Sequence, residues 1–170
     1  MTRYVALVRA VNVGGTGNLP MAALRSICVD AGFDRVETYI ASGNVVFASK
    51  AAPTRVKAEL ESRLAARAGK PAAVVVRTAA EMLAVLEANP YPRAEPKRVY
   101  VIFLDHRPPP DALAHAVGQS DEKIRLGDRE IFVHYPGGMG RSKLRIPAAK
   151  MGTARNMNTV AKLAEMAAKR

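Results

Sequence analysis

A chain of 170 residues with 49% apolar and 24% charged side chains has the composition of one folded domain, or of two small ones sharing a core. No apolar run approaches the length that spans a bilayer. Arg3 and Arg9 flank a segment too short for a signal-peptide core, and a single cysteine, Cys28, excludes an internal disulfide framework. These features predict a soluble cytoplasmic protein with no membrane partner, and favour a monomer. The formal charge of +11 comes from 26 basic and 15 acidic residues, and residues 137–170 hold 8 basic side chains against one acid, Glu165. Such an excess points to a polyanionic partner, although an Ala- and Arg-rich composition also places basic residues on a merely solvated surface.

Residues 4–10 read as a strand that is apolar on both faces and therefore covered on both sides. A glycine-rich loop from Asn12 to Leu19 follows. Pro20 then suits the first turn of a helix whose apolar positions are Met21, Leu24, Ile27, Cys28 and Ala31, with Gly32 as its stop. Residues 35–41 and 44–49 form two strands joined around Ser42-Gly43. Residues 53–68 make a helix with Val56, Leu60, Leu64 and Ala68 on one face, and residues 72–77 return as a strand. This βαββαβ order is the ferredoxin-like arrangement. A connecting helix over 79–88 leads into a proline-containing segment, Asn89 to Pro96.

The second half repeats the plan in element order only. It has a strand at 98–104, a short helix at 110–117, and a hairpin of 122–126 with 129–135 around Gly127-Asp128. An irregular stretch, 137–152, precedes an amphipathic helix over 156–168 with Met157, Val160, Ala161, Ala164 and Ala168 toward the core. The expected fold is α+β, with two ferredoxin-like halves packed into one compact unit and a C-terminal helix. Residues 1–78 form the first half, 79–97 the connection, and 98–170 the second half with a basic C-terminal motif.

His106, His115, His134 and Cys28 show no metal-ligand spacing, and no G-x-S-x-G elbow is present. No cofactor or metal is expected. Asp121 with Glu122, and Glu59 with Glu61, read as solvated surface. Three segments carry polar chemistry. In the loop Val13-Gly14-Gly15-Thr16-Gly17-Asn18, glycine amides ahead of a helix N-terminus form the kind of cradle that accepts phosphate, or a turn that needs positive φ. The hairpin Ser42-Gly43-Asn44 is a second candidate, or a β-turn selected for geometry. The third joins Gly140-Arg141-Ser142-Lys143 to residues 153–162. There Asn156 caps the last helix, Asn158 and Thr159 occupy its first turn, and Arg155 beside the helix start, with Arg141 and Lys143, would hold an anion.

The stretches Arg9-Ala10-Val11-Asn12-Val13-Gly14-Gly15, Leu19-Pro20-Met21 and residues 38–47 (TYIASGNVVF), followed by Arg141-Ser142-Lys143-Leu144 and residues 153–160 (TARNMNTV), resemble the domain of unknown function family 1697. Ala10 stands where that family usually has Gly, and Met157 where it often has Trp. The resemblance implies a compact α/β fold and brings no activity.

The candidate ligand-binding residues are therefore Arg9, Asn12, Gly14, Gly15, Ser42, Asn44, Arg141, Ser142, Lys143, Arg155, Asn156 and Asn158. The favoured function is binding of a polyanion, nucleic acid through its phosphates. The RNA-recognition consensus is absent, and Tyr4 and Phe47 are the sole aromatics of the two central strands of the first half. The alternative is an enzyme or sensor for a small phosphorylated or carboxylated ligand held between the polar loops. A third reading is a structural protein in which these motifs only shape turns.

Overall fold

In the computed structural model, which describes residues 1–9 and 18–169, the chain divides into two compact units, Met1–Ala84 with Leu163–Arg170, and Val85–Lys162. The first unit contains β1 (Thr2–Val8), α1 (Met21–Asp30), β2 (Asp34–Tyr39), β3 (Asn44–Ser49), α2 (Pro53–Ala68) and β4 (Val74–Thr78). Its sheet has the order β2-β3-β1-β4 with every neighbour antiparallel, which is the ferredoxin-like topology. Tyr4 through Val8 are all buried, as expected of a strand apolar on both faces.

Local signals set the helix ends. Gly32 (φ +85) closes α1, with the Phe33 amide donating to the Cys28 carbonyl at 3.1 Å and the Gly32 amide to Val29 at 3.0 Å, a Schellman pair. Pro53 opens α2, and Gly69 closes it in the left-handed conformation. One face of the sheet meets Leu24, Cys28, Val56 and Leu60 from the two helices, and Phe33 stacks on Phe47 with centroids 4.4 Å apart. Ala68, assigned to the inner stripe of α2, is exposed, because it lies at the helix end beyond the sheet-covered turns.

β2 carries a bulge, since two residues between Asp34 and Glu37, Arg35 and Val36, oppose the single Phe47 on β3. Arg35 takes the left-handed conformation there (φ +53). Its carbonyl accepts from the Arg3 guanidinium at 3.2 Å, and its own guanidinium donates to the Lys169 carbonyl at 3.2 Å. Arg3 also donates to the Met166 carbonyl at 3.1 Å. Two cations thus meet carbonyls in the last turn of α4 (Met157–Ala168) and just beyond it, the end where the macrodipole favours positive charge.

The second unit contains β5 (Val99–Phe103), β6 (Lys123–Leu126), β7 (Glu130–His134) and β8 (Thr153–Asn156) in the order β6-β7-β5-β8, again all antiparallel. The topology matches the first sheet, but its crossovers have no α-helix among the described residues. A 3-10 turn at Ala112–His115 stands in the first crossover, and turns at Met139–Arg141 and Pro147–Ala149 stand in the second. β8 is the strand that sequence reading omits, because its four residues carry polar side chains at three positions.

The correspondence extends to the register. Val5 pairs with Val46 and Arg77, and Val101 pairs with Phe132 and Arg155. One row on, Asn44 flanks Leu7 as Glu130 flanks Phe103, and both polar residues are buried. Each fourth strand thus places a buried arginine one residue before a helix cap. Thr78 and Glu81 form a capping box on α3 (Ala79–Glu87), with bonds of 3.2 and 2.8 Å. Asn156 accepts the Thr159 amide at 3.0 Å on α4, the cap that the sequence predicts. The boundary between the units falls within α3 and again within α4. The buried stripe of α4 is Met157, Val160, Leu163, Ala164, Met166 and Ala167; Ala168, assigned inward from periodicity, is exposed at the helix end.

Replacing Arg3 with alanine removes the bonds to Arg35 and Met166. The expected loss is about 1–3 kcal/mol, read as a lower urea midpoint, with hydrogen exchange rising first in the last turn of α4.

Candidate functional site

The candidate residues fall into separate groups, and Asn12, Gly14 and Gly15 lie outside the described residues. In the first unit, the tip of the β2–β3 hairpin is fastened to the end of β1, and the residue after β1 to the one before β4. The Val8 amide donates to the Gly43 carbonyl at 2.8 Å, and the Arg9 amide to Ala73 at 3.0 Å. Asn44 is fully buried, and its amide donates to the Tyr39 carbonyl at 2.9 Å and to Ser42 Oγ at 2.7 Å. Ile40 in this turn has φ +47 and is exposed, so the polar side chains hold a conformation that a β-branched residue disfavours. Ser42 and Asn44 are brought together, and their bonds are those of a turn.

In the second unit, Arg155 lies on β8, and the side chain is buried. Its guanidinium donates to Thr153 Oγ1 at 2.6 Å and to the Ala154 carbonyl at 2.9 Å, and burial pulls its pKa down to about 10. At neutral pH it stays a buried cation on the strand. Asn156 is spent on the helix cap, and Asn158 faces water.

The third group assembles a pocket. Arg141, Ser142 and Lys143, from the crossover between β7 and β8, line an open cavity of about 210 Å³ together with Gly118, Ser120, Asp121 and Glu122 from the crossover between β5 and β6. Tyr135, Gly137 and Gly138 complete it. Paired bonds between Val117 and Arg145, at 2.9 and 2.8 Å, lock the two crossovers together. Gly118 (φ +72) packs so close that a Cβ there would overlap the Lys143 carbonyl. At Gly137 and Gly138, by contrast, a Cβ would meet nothing within 4 Å.

Glu122 is the hub, and its assignment to solvated surface is corrected here: it is 6% exposed. It accepts from Ser142 Oγ and from the Ser120 amide at 2.6 Å, while its own carbonyl accepts from Gln119 Nε2 at 2.8 Å. Donation from the Ser142 hydroxyl and then from the Ser120 amide holds the carboxyl below its ordinary pKa. Ser142 Oγ in turn accepts the Leu144 amide at 3.1 Å. Burial, then the charge of Glu122, pushes the Tyr135 phenol up, so it remains a donor. Arg141, Lys143 and Asp121 form no ion pair or side-chain hydrogen bond among the described residues, although all three line the cavity. Of this lining the sequence singles out Arg141, Ser142 and Lys143, but not Glu122, Tyr135 or Gly118. Gly137-Gly138 just after Tyr135 is a sequence signal for the tyrosine; Gly118 and Glu122 have none, because only the fold brings them to the same cavity.

Two four-stranded antiparallel sheets of one topology, with a helix after each, define an α+β protein of two ferredoxin-like halves. No helix among the described residues is long and apolar enough to cross a membrane. No curated protein matches the chain. A family model described as protein of unknown function (DUF1697) matches residues 1–132, and the chain belongs to that family. Among solved structures it is similar to the conserved bacterial protein SP0830 from Streptococcus pneumoniae, with 28% identity over 98% of both chains and a TM-score of 0.81. The family match ends before Tyr135 and residues 141–143, whereas the structural likeness covers 98% of the chain.

A carboxyl whose folded pKa is lowered contributes stability that is complete above its unfolded value and is lost as pH falls through the folded one. The urea midpoint of the parent should therefore drop more steeply between neutral pH and about pH 3 than that of Glu122→Gln. Equal slopes would remove Glu122 as the hub. Gly118→Ala should cost about 1–3 kcal/mol in the same measurement, because both the positive φ and the Lys143 carbonyl oppose a side chain.

Proposed function

We propose that the second unit is a binding module for a small ligand carrying a phosphate or carboxylate group. The observation that carries this reading is that Arg141 and Lys143, without an ion-pair partner among the described residues, stand on the wall of a cavity whose other segment is held by Glu122 and Gly118. An anion there would gain charge-assisted hydrogen bonds with donors already positioned by the crossover bonds. Ser142 serves as a positioning residue: its hydroxyl is committed to Glu122, and a carboxylate held below its ordinary pKa is a poor base for activating it. This favours binding over nucleophilic chemistry at Ser142.

The charge of +11 supports a second reading, contact with nucleic-acid phosphates. Base stacking on the first sheet is disfavoured, because Tyr4 is 1% and Phe47 0% exposed, with the Tyr4 hydroxyl donating to the Ala51 carbonyl at 2.7 Å.

Titration of the full chain with inorganic phosphate and with acetate, followed by amide chemical shifts, tests the first reading. Expected are shifts confined to residues 118–122 and 135–143, and an affinity about tenfold or more weaker in the Arg141→Ala, Lys143→Ala double variant. Gly137→Leu, on the cavity lining and with room for a side chain, should block binding without loss of stability. No shift in these segments with either anion would overturn the reading. Anisotropy of labelled single-stranded RNA, with a steep salt dependence that survives Gly137→Leu, would support the second reading instead.

A further inference from the structure

The pocket wall is not simply basic. Arg141 and Lys143 line a cavity that also carries Asp121, which is exposed and has no ion-pair partner among the described residues, and Glu122, which is buried. Two donors, Ser120 N and Ser142 Oγ, occupy part of the Glu122 carboxylate. A carboxylate offers about four lone-pair sites, so acceptor capacity remains. With two cations and two carboxylates the lining has no net charge. A plain anion would meet Asp121 and Glu122 at close range, and a plain cation would meet Arg141 and Lys143; like charges oppose each alone. The cavity, at about 210 Å³, is also smaller than the roughly 300–1,000 Å³ of pockets for drug-sized ligands.

We infer that the pocket takes a small zwitterion, a molecule whose carboxylate or phosphate meets Arg141 and Lys143 while its protonated amine, a few bonds away, meets Asp121 and Glu122. This rests on the reading that the two cations hold an anionic group, and it adds the class of ligand. The Tyr135 hydroxyl, held protonated, adds a neutral donor to the same lining. Nothing is transferred in this proposal; the contacts are ionic and hydrogen-bonded, and the Glu122–Ser142 bond is kept.

Five probes test it against the full-length protein, with amide shifts as the readout: inorganic phosphate, acetate, ethylammonium, β-alanine and phosphoethanolamine. A zwitterion should bind tenfold or more tightly than the ion that carries only its anionic group. Preference for β-alanine would mark the anionic site as one for carboxylate, and preference for phosphoethanolamine as one for phosphate. Asp121→Asn, at an exposed position where folding is not at stake, should remove most of that margin while leaving phosphate or acetate bound as well or better. Glu122→Gln should act in the same direction, with its fold checked by the amide spectrum. Equal affinity for phosphate and phosphoethanolamine and for acetate and β-alanine, untouched by Asp121→Asn, would overturn the zwitterion and leave the anion reading standing. No shift at residues 118–122 and 135–143 with any probe would overturn both.

Discussion

From Tyr4 to Val8 no side chain is more than 3% exposed, and Val99, Val101 and Phe103 are equally hidden at the centre of the other sheet. A strand buried on both faces has no water to satisfy its amides and carbonyls, so each must find a neighbour on either side. β3 and β4 supply them for β1, and β7 and β8 for β5. Because a slip of one residue would exchange the two faces, the register is fixed along with the pairing. The short β8 is required by this argument although its own sequence does not look like a strand. Without it, one edge of β5 would be buried and unpaired.

The two units solve the covering of their sheets differently. In the first, α1 and α2 pack against each other and against Ala6, Val45 and Val76, and a helix satisfies its own backbone. In the second, the corresponding row of Ile102 and Ile131 lies in a core covered by loops and 3-10 turns that bring Tyr135, Leu144 and Ile146. Irregular chain near a core leaves polar backbone groups in need of partners, and nearby side chains provide them. Glu122 accepts an amide, Ser142 another, and Gln119 donates to a carbonyl. The pocket is the space left where two crossovers meet without two helices to fill it.

Much of this was legible from residue patterns. The both-faces-apolar run at residues 4–8, the capped helices at Met21–Asp30 and Pro53–Ala68, and the Gly127-Asp128 hairpin are each dictated locally, and each is present. What escaped was set by tertiary pairing. Thr153–Asn156 become a strand because β5 needs a partner, and that pairing turns Arg155 from a helix-start cation into a buried strand residue. Arg77, its counterpart in register, carries no local signal for the same reason. In the site, Arg141, Ser142 and Lys143 stood out by composition, while the burial of Glu122 depends on a hydroxyl twenty residues away.

Two sheets of one topology within a single chain also raise a question of folding fidelity. β1 and β5 are both central, both flanked by antiparallel neighbours, and each could in principle be claimed by the other's partners. Side-chain volume distinguishes them. Across the equivalent rows the first sheet reads Val45, Ala6, Val76, with its smallest residue at the centre, and the second reads Ile131, Ile102, Ala154, with its smallest at the side. An exchange of central strands would crowd two branched neighbours with an isoleucine in one sheet and open a void in the other, both of which destabilise a core. The pattern of large and small residues acts as an address that sends each strand to its own sheet.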